Sequence, residues 1–332
     1  MLPFFKSLPL AISWLAFLSL ITAGSANKLS SEVAIKPTNA NFNISAVSAG
    51  RFVTSKDGTR IFAEARGDCH KPAVIFIHGF RLGAMAFNEI FNDANWLSQV
   101  YLVRYDTRGH GRSDKPLDAA AWASERLAQD FDAVVQSYHL KRPFVLAWSL
   151  GGTHVADILS FHPANYLSGI IYDAAIPDMA HIRTISSAAT ASFILKSVQT
   201  SSILQLQEAY IDFINLCHPA LEWNFYLACL GDAVIQPRLV TQFVINRTQS
   251  STALLKAGRS GELPLLAIFG ADDKAVLKQP VLDVIKGWKK LTVSTLPHAQ
   301  HFTWVSQPVL FRETVLKWIS VHSKQEFSQL AG

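Results

Sequence analysis

The segment Val145-Leu146-Ala147-Trp148-Ser149-Leu150-Gly151-Gly152 sets one serine at the end of an apolar run and just before a helix-compatible stretch, Thr153–Leu159. A strand that turns sharply into a helix forces such a serine into a strained conformation and lifts its hydroxyl clear of the sheet. Small residues are needed two before and two after it, because strand and helix pack closely there. Ala147 and Gly151 hold those places. A serine hydroxyl is a weak nucleophile at neutral pH and needs a base to take its proton. Histidine suits that task because its pKa lies near the working pH. Two histidines stand together near the C-terminal end, His298 and His301. An acid that orients the imidazole completes such a set. Its candidates are Asp272 and Asp273, in Phe269-Gly270-Ala271-Asp272-Asp273, and Asp173, directly after Ile171-Tyr172.

These groups need a frame that brings distant segments to one edge. Arg51–Thr54 and Arg60–Ala65 flank Asp57-Gly58, a turn signal between two strands. Apolar runs follow at Ala73–Ile77, Val100–Tyr105, Pro143–Ala147, Leu167–Tyr172, Pro264–Phe269 and Leu291–Leu296. Continuous apolar strands of this kind belong to a parallel sheet covered on both faces. Helical patterns lie between them, the clearest from Asp118 to Tyr138, with Leu127, Phe131, Val134, Val135 and Tyr138 on one face. The alternation predicts an α/β fold with a mostly parallel, doubly wound sheet. After the sixth strand the rhythm breaks. Residues 178–262 read as amphipathic helices, for example Phe193–Cys217, and a stretch of that length is a lid rather than a loop. The expected organisation is a core of 49–177 and 263–322 with a helical cap at 178–262.

The chain here resembles the α/β-hydrolase superfamily over roughly Arg51 to Ile319. Ile75-Phe76-Ile77-His78-Gly79-Phe80 is similar to that family's His-Gly turn after its third strand. Asp106-Thr107-Arg108-Gly109-His110-Gly111-Arg112-Ser113 is similar to its Arg-Gly-x-Gly-x-Ser loop. The Ser149 elbow departs from Gly-x-Ser-x-Gly by the methyl of Ala147. Ala299-Gln300-His301-Phe302 followed by Gln307-Pro308 aligns with the family's histidine segment, with Gln300 where glycine is usual. The resemblance implies a triad of Ser149, Asp273 and His301, since the family places its acid three residues after a glycine such as Gly270. Asp173 occupies a position that some members use instead. The backbone N–H groups of Phe80 and Leu150 are the expected oxyanion donors. His78 and the Gly109/Gly111 loop are read as structural.

Serine in the elbow, where dehalogenases and epoxide hydrolases of this fold carry aspartate, implies acyl chemistry. The expectation is a carboxylesterase-like serine hydrolase working through an acyl-enzyme. Perhydrolysis or acyl transfer, lactone cleavage, and a receptor-like member with little turnover are the alternatives. The aromatic neighbours Phe80, Trp148 and Phe302 are the expected substrate contacts, which points to a substrate with a small to medium apolar acyl group.

The bulk properties set the compartment. Of 332 residues, 49% are hydrophobic and 17% charged, which is globular. The net charge is +5 without a basic cluster, so nucleic acid is not an expected partner. Residues 1–26 read as a signal peptide: one lysine, Lys6, then Leu8–Ala23 almost wholly apolar, then Gly24-Ser25-Ala26. The alternative is an uncleaved membrane anchor, but the apolar run is shorter than the ~20 residues that span a bilayer comfortably. Residues 27–48 read as a poorly ordered arm. Secretion would expose Cys69, Cys217 and Cys229 to oxidation, and the spacing favours a Cys217–Cys229 bridge. Asn43 and Asn246 begin glycosylation sequons. No Gly-x-Gly-x-x-Gly unit, P-loop or metal-ligand spacing is present, so neither cofactor nor metal is expected.

Overall fold

The computed structural model describes the backbone of residues 48–330 and the side chains of residues 50–323. Asn43, the leader and nearly all of the expected arm lie outside the described residues. Ser48, assigned to that arm, is the first residue of a strand.

Eight strands form one sheet: β1 (Ser48–Thr54), β2 (Arg60–Arg66), β3 (Ala73–Ile77), β4 (Tyr101–Tyr105), β5 (Phe144–Trp148), β6 (Gly169–Asp173), β7 (Leu265–Gly270) and β8 (Leu291–Leu296). Their spatial order is β1-β2-β4-β3-β5-β6-β7-β8. The first two pairings, β1 with β2 and β2 with β4, are antiparallel, and all the others are parallel. The sequence therefore predicts the fold class correctly, and the central strands β5 and β6 are buried along their whole length. β8 differs from expectation: it is an edge strand whose Thr292, Val293 and Thr295 are exposed. Two strands start one residue late, after Pro143 and Pro264, because proline offers no N–H to the ladder.

The core helices that matter for the site are α1 (Ser124–Ser137) and α2 (Gly152–Phe161), the latter running on from the Ser149 turn. The helix expected from Asp118 starts later. The Asp118 side chain instead caps a single 3-10 turn, Ala119–Trp122, by accepting the Ala120 N–H.

Between β6 and β7 lie α3 (Ala188–Gln199), α4 (Ile203–Cys217), α5 (Trp223–Ile235), α6 (Arg238–Asn246) and α7 (Thr252–Ser260). The helix expected across Phe193–Cys217 is two helices. Ser202 caps the second by accepting the Gln205 N–H, and the polar run Thr200-Ser201-Ser202 breaks the chain between them. The last of the five, α7, packs on α2 and so belongs with the helices flanking the sheet.

The expected Cys217–Cys229 bridge is absent: both are free, buried thiols. Each is taken into the apolar interior as a small hydrophobe. Burial pushes the Cys229 thiol up to about 12 and the Cys217 thiol well above its ordinary value. Cys69 is free and exposed. Asn246 ends α6 and is exposed. Among the described residues, no helix is long and apolar enough to cross a membrane.

Candidate active site

β5 delivers Ser149 into a backbone conformation with φ of +55°. That region is costly for any residue with a Cβ, by roughly 1–3 kcal/mol, and is tolerated only where the surroundings enforce it. They do so here by close approach. A Cβ on Gly151 would lie 2.6 Å from the carbonyl oxygens of both Ile77 and His78. One on Gly79 would lie 3.0 Å from the Ser149 Cβ and from the Trp148 ring. Three chain segments thus meet with no room for side chains, and the serine is the point where they cross.

His301 Nε2 lies 2.9 Å from Ser149 Oγ, and His301 Nδ1 lies 2.9 Å from Asp273 Oδ2. The other oxygen of Asp273 accepts the backbone N–H groups of Ala275 at 2.7 Å and Val276 at 3.2 Å, which fixes the carboxylate. Ser149 is 7% exposed and His301 1%. The structure separates these residues from their sequence neighbours. The side chains of His298 and Asp272 are 87% and 54% exposed and face each other on the surface at 3.9 Å. Asp173 is buried but touches no histidine: both of its oxygens lie 2.7 Å from the Thr303 hydroxyl. Burial, with Asp273 nearby, holds its carboxyl well above the usual range. The geometry agrees with that direction. A proton on the acid would let each oxygen keep its own hydrogen bond with the single hydroxyl.

Phe80 and Leu150, whose amides are the expected oxyanion donors, line one cavity with Ser149, and the peptide that carries the Phe80 N–H is held by His78. The His78 ring lies 2.9 Å from the Gly79 carbonyl oxygen through Nδ1, while its Nε2 accepts the Thr107 N–H at 3.0 Å. A carbonyl can only accept, so Nδ1 carries the proton. Burial depresses the His78 pKa, which keeps the ring neutral in that tautomer. The Gly79 carbonyl and the Phe80 N–H belong to one trans peptide and point in opposite directions. Holding the carbonyl on His78 therefore turns the N–H away from it.

Arg81, the next residue along, was not anticipated. It is 2% exposed, with φ of +59°, and has no carboxylate partner among the described residues. Its guanidinium donates instead to the carbonyls of Ala233 (2.8 Å) and Gln236 (3.3 Å) and to the hydroxyls of Tyr210 and Thr241. It also lies 4.6 Å from the Tyr210 ring centre. Asp232 of α5 accepts the Gly83 N–H at 2.8 Å. The loop carrying the Phe80 amide is thus tied to α4, α5 and α6. A single arginine after His-Gly-Phe gives no sequence signal for this, because its partners are two backbone carbonyls and two hydroxyls far along the chain.

Ser149, His301, Phe80 and Leu150 line a small cavity of about 20 Å³, walled by Ile182, Ile194, Phe213 and Val276 among others. Phe80 is among its lining residues. Trp148 and Phe302 do not line it and are corrected to supporting residues. The Trp148 indole donates to the His301 carbonyl at 2.9 Å and packs on Phe302, ring centres 4.7 Å apart. Trp148 ends β5, where successive residues point to opposite faces, and Phe302, in the turn before the helical residues from Thr303, packs against it. The walls supplied by Ile182, Ile194 and Phe213 carry no sequence motif. Among the described residues, a set able to hold a metal occurs at Asp68, Cys69 and His70, exposed in the turn before β3. It lies at the opposite end of β3 from His78.

A family model described as alpha/beta hydrolase matches residues 74–314. A "Probable oxidoreductase EphD" of Mycobacterium tuberculosis H37Rv is 34% identical over 111 residues, covering 33% of this chain. The match spans 18% of that relative's length. A bifunctional esterase/perhydrolase of Acinetobacter calcoaceticus is 22% identical over 277 residues, 76% of this chain and 94% of that protein. The esterase RhEst1 from Rhodococcus sp. ECU1013 shares the fold with a TM-score of 0.73 at 23% identity, covering 82% of this chain and 98% of that one. An esterase of Exiguobacterium antarcticum does so with a TM-score of 0.65 at 16% identity, covering 82% and 100%. With the family model covering most of its length, the chain belongs to the alpha/beta hydrolase family.

Proposed function

We propose that this protein is a serine esterase, and one observation carries the reading: the hydrogen-bonded chain from Ser149 Oγ through His301 to Asp273. Ser149 Oγ attacks the ester carbonyl as His301 Nε2 takes its proton. The Asp273 carboxylate stabilises the imidazolium and keeps the ring in register. Negative charge gathers on the carbonyl oxygen, where the Phe80 and Leu150 N–H groups receive it; each such donor is worth ~10²–10³ in rate. His301 returns the proton to the departing alkoxide, leaving an acyl-serine. Water then attacks that acyl-serine by the same steps in reverse roles, giving the acid and free serine. The cycle consumes ester and water alone and calls on no cofactor.

The substrate in this reading is a small, apolar acyl ester, because the cavity at Ser149 is lined mainly by aliphatic and aromatic side chains. Peroxide in place of water at the second step would give perhydrolysis, an activity named for the Acinetobacter relative. Lactone cleavage needs the same groups. A binding protein without turnover is the reading from another class. A panel of p-nitrophenyl esters tests the proposal: turnover by the wild type should exceed that of Ser149→Ala by at least 10³-fold. Equal rates for the two proteins would refute it.

We also propose export, on the strength of the leader alone. N-terminal sequencing of the protein from a secreting host should begin near Asn27, and a sequence beginning at Met1 in membranes would overturn it.

A further inference from the structure

Two spaces meet at the candidate site and share one wall. The cavity around Ser149 measures about 20 Å³, room for about one water. Beside it a groove of about 960 Å³ runs between α3, α4 and the loop after β7, past Asp273 and Gln300. Ligand sites commonly measure ~300–1,000 Å³, so the cavity is too small for a whole ester and the bulk of one must lie in the groove. Phe213 of α4 lines both. Its ring is stacked on Phe193 of α3, centres 4.0 Å apart and planes 9° from parallel, and Phe193 in turn meets Phe80 edge-on at 5.9 Å.

The chemistry decides which part of an ester goes where. The departing alkoxide must receive its proton from His301, so the alcohol portion has to lie on the histidine side of the serine. The groove passes Asp273, which holds His301 Nδ1, and Gln300, its chain neighbour, while Ser149 and His301 themselves line the cavity, so an alcohol reaches the groove from the histidine past Phe213. The acyl portion is left with the tight cavity bounded by Phe80, Ile194 and Val276. The groove walls are apolar at Phe193, Phe213 and Leu216; Lys196 and Lys274 stand against Asp212 and Asp272, and the third acid, Asp273, is engaged by His301.

Resting on the esterase reading, we propose that the groove is the alcohol-binding site, that the substrates are short-acyl esters of bulky, neutral, apolar alcohols, and that Phe213 sets the size of alcohol admitted. Rotation of the Phe213 ring joins groove to cavity, and Phe193 is the surface against which it closes.

The test compares two series in the full-length protein. One varies the alcohol (ethyl, butyl, benzyl and 2-naphthyl acetates); the other varies the acyl group (p-nitrophenyl acetate, butyrate and octanoate). Each variant is read as a ratio of kcat/KM values within a series, relative to wild type, so intrinsic reactivity and the fraction folded both cancel. Phe213→Ala should raise the naphthyl-to-ethyl ratio at least tenfold and Phe213→Trp should lower it tenfold. Both should leave the octanoate-to-acetate ratio within about threefold of wild type. A shift confined to the acyl series, or no shift in either, overturns the proposal. Methylphosphonate esters with ethyl or naphthyl leaving groups are run in parallel, since they label Ser149 without hydrolysis. Labelling without ester turnover would count against the esterase reading, while the naphthyl-to-ethyl labelling ratio in the Phe213 variants would still decide the groove.

Discussion

His78 grips the Gly79 carbonyl at 2.9 Å, and through the shared peptide plane it sets the direction of the Phe80 N–H. A histidine two residues from the oxyanion donor thereby acts on the site without touching it. His78→Ala frees that peptide to turn over. The expected result is a loss of roughly 10²-fold in kcat, the size of one lost donor, with KM changed little. Steady-state kinetics on a small acetate ester measure both. A variant that loses KM but keeps kcat would contradict the orientation argument.

Arg81 makes the same loop depend on the helices above it. Arg81→Met leaves the carbonyls of Ala233 and Gln236 and the hydroxyls of Tyr210 and Thr241 short of a donor in a buried space. Unsatisfied buried groups cost about 1–3 kcal/mol each before relaxation. The variant should lose about 2–3 kcal/mol in urea unfolding and become more sensitive to protease within residues 203–246. An unchanged urea midpoint would show that the guanidinium carries none of this load.

Two buried carboxyls sit near the histidine, and their asparagine variants should part sharply. Asp273→Asn removes the charge that holds the imidazolium, and kcat should fall by roughly 10⁴-fold. At Asp173 burial already favours the neutral acid, and an amide offers Thr303 an acceptor and a donor. Asp173→Asn should therefore keep kcat within about threefold. The reverse pattern would make Asp173 the working acid.

Asp232 gives a pH dependence with a definite sign. Burial, with Asp106 nearby, raises its pKa from 3.8 to about 6 in the folded protein. Between those values the native state holds the proton more tightly than the unfolded chain. Its contribution to stability is therefore greatest near pH 4 and is lost as the pH rises through 6. Asp232→Asn keeps an acceptor for the Gly83 N–H and loses the charge. It should be more stable than wild type by about 1 kcal/mol at pH 7.5, allowing for partial exposure, and equal to it near pH 4. Thermal melts at both values check this, and a variant less stable at pH 7.5 would contradict it.

Much of this arrangement is legible in the chain because it rests on local rules. An apolar run ending in Ser149-Leu150-Gly151-Gly152 can hardly be anything but a strand running into a helix, and the buried β5 and α2 follow from it. The choice of His301 over His298 is different. Nothing in the residue types separates them; a loop buries one and exposes the other. Trp148 and Phe302 misled because adjacency in the chain does not place a side chain in the cavity, and these two pack on each other instead. The cavity walls were illegible for a further reason. Ile182, Ile194, Phe213 and Ile245 come from separate helical segments between β6 and β7, and only the packing of those segments brings them together.

The central claim is that Ser149 carries the acyl group, and intact-mass spectrometry of acid-quenched protein tests it most directly. Mixed with excess p-nitrophenyl acetate for milliseconds, the wild type should gain the mass of one acetyl group, mapped by peptide digestion to Ser149. His301→Gln should acquire it far more slowly and Ser149→Ala not at all. Turnover by folded wild type with no adduct, or an adduct that survives in Ser149→Ala, would contradict the account.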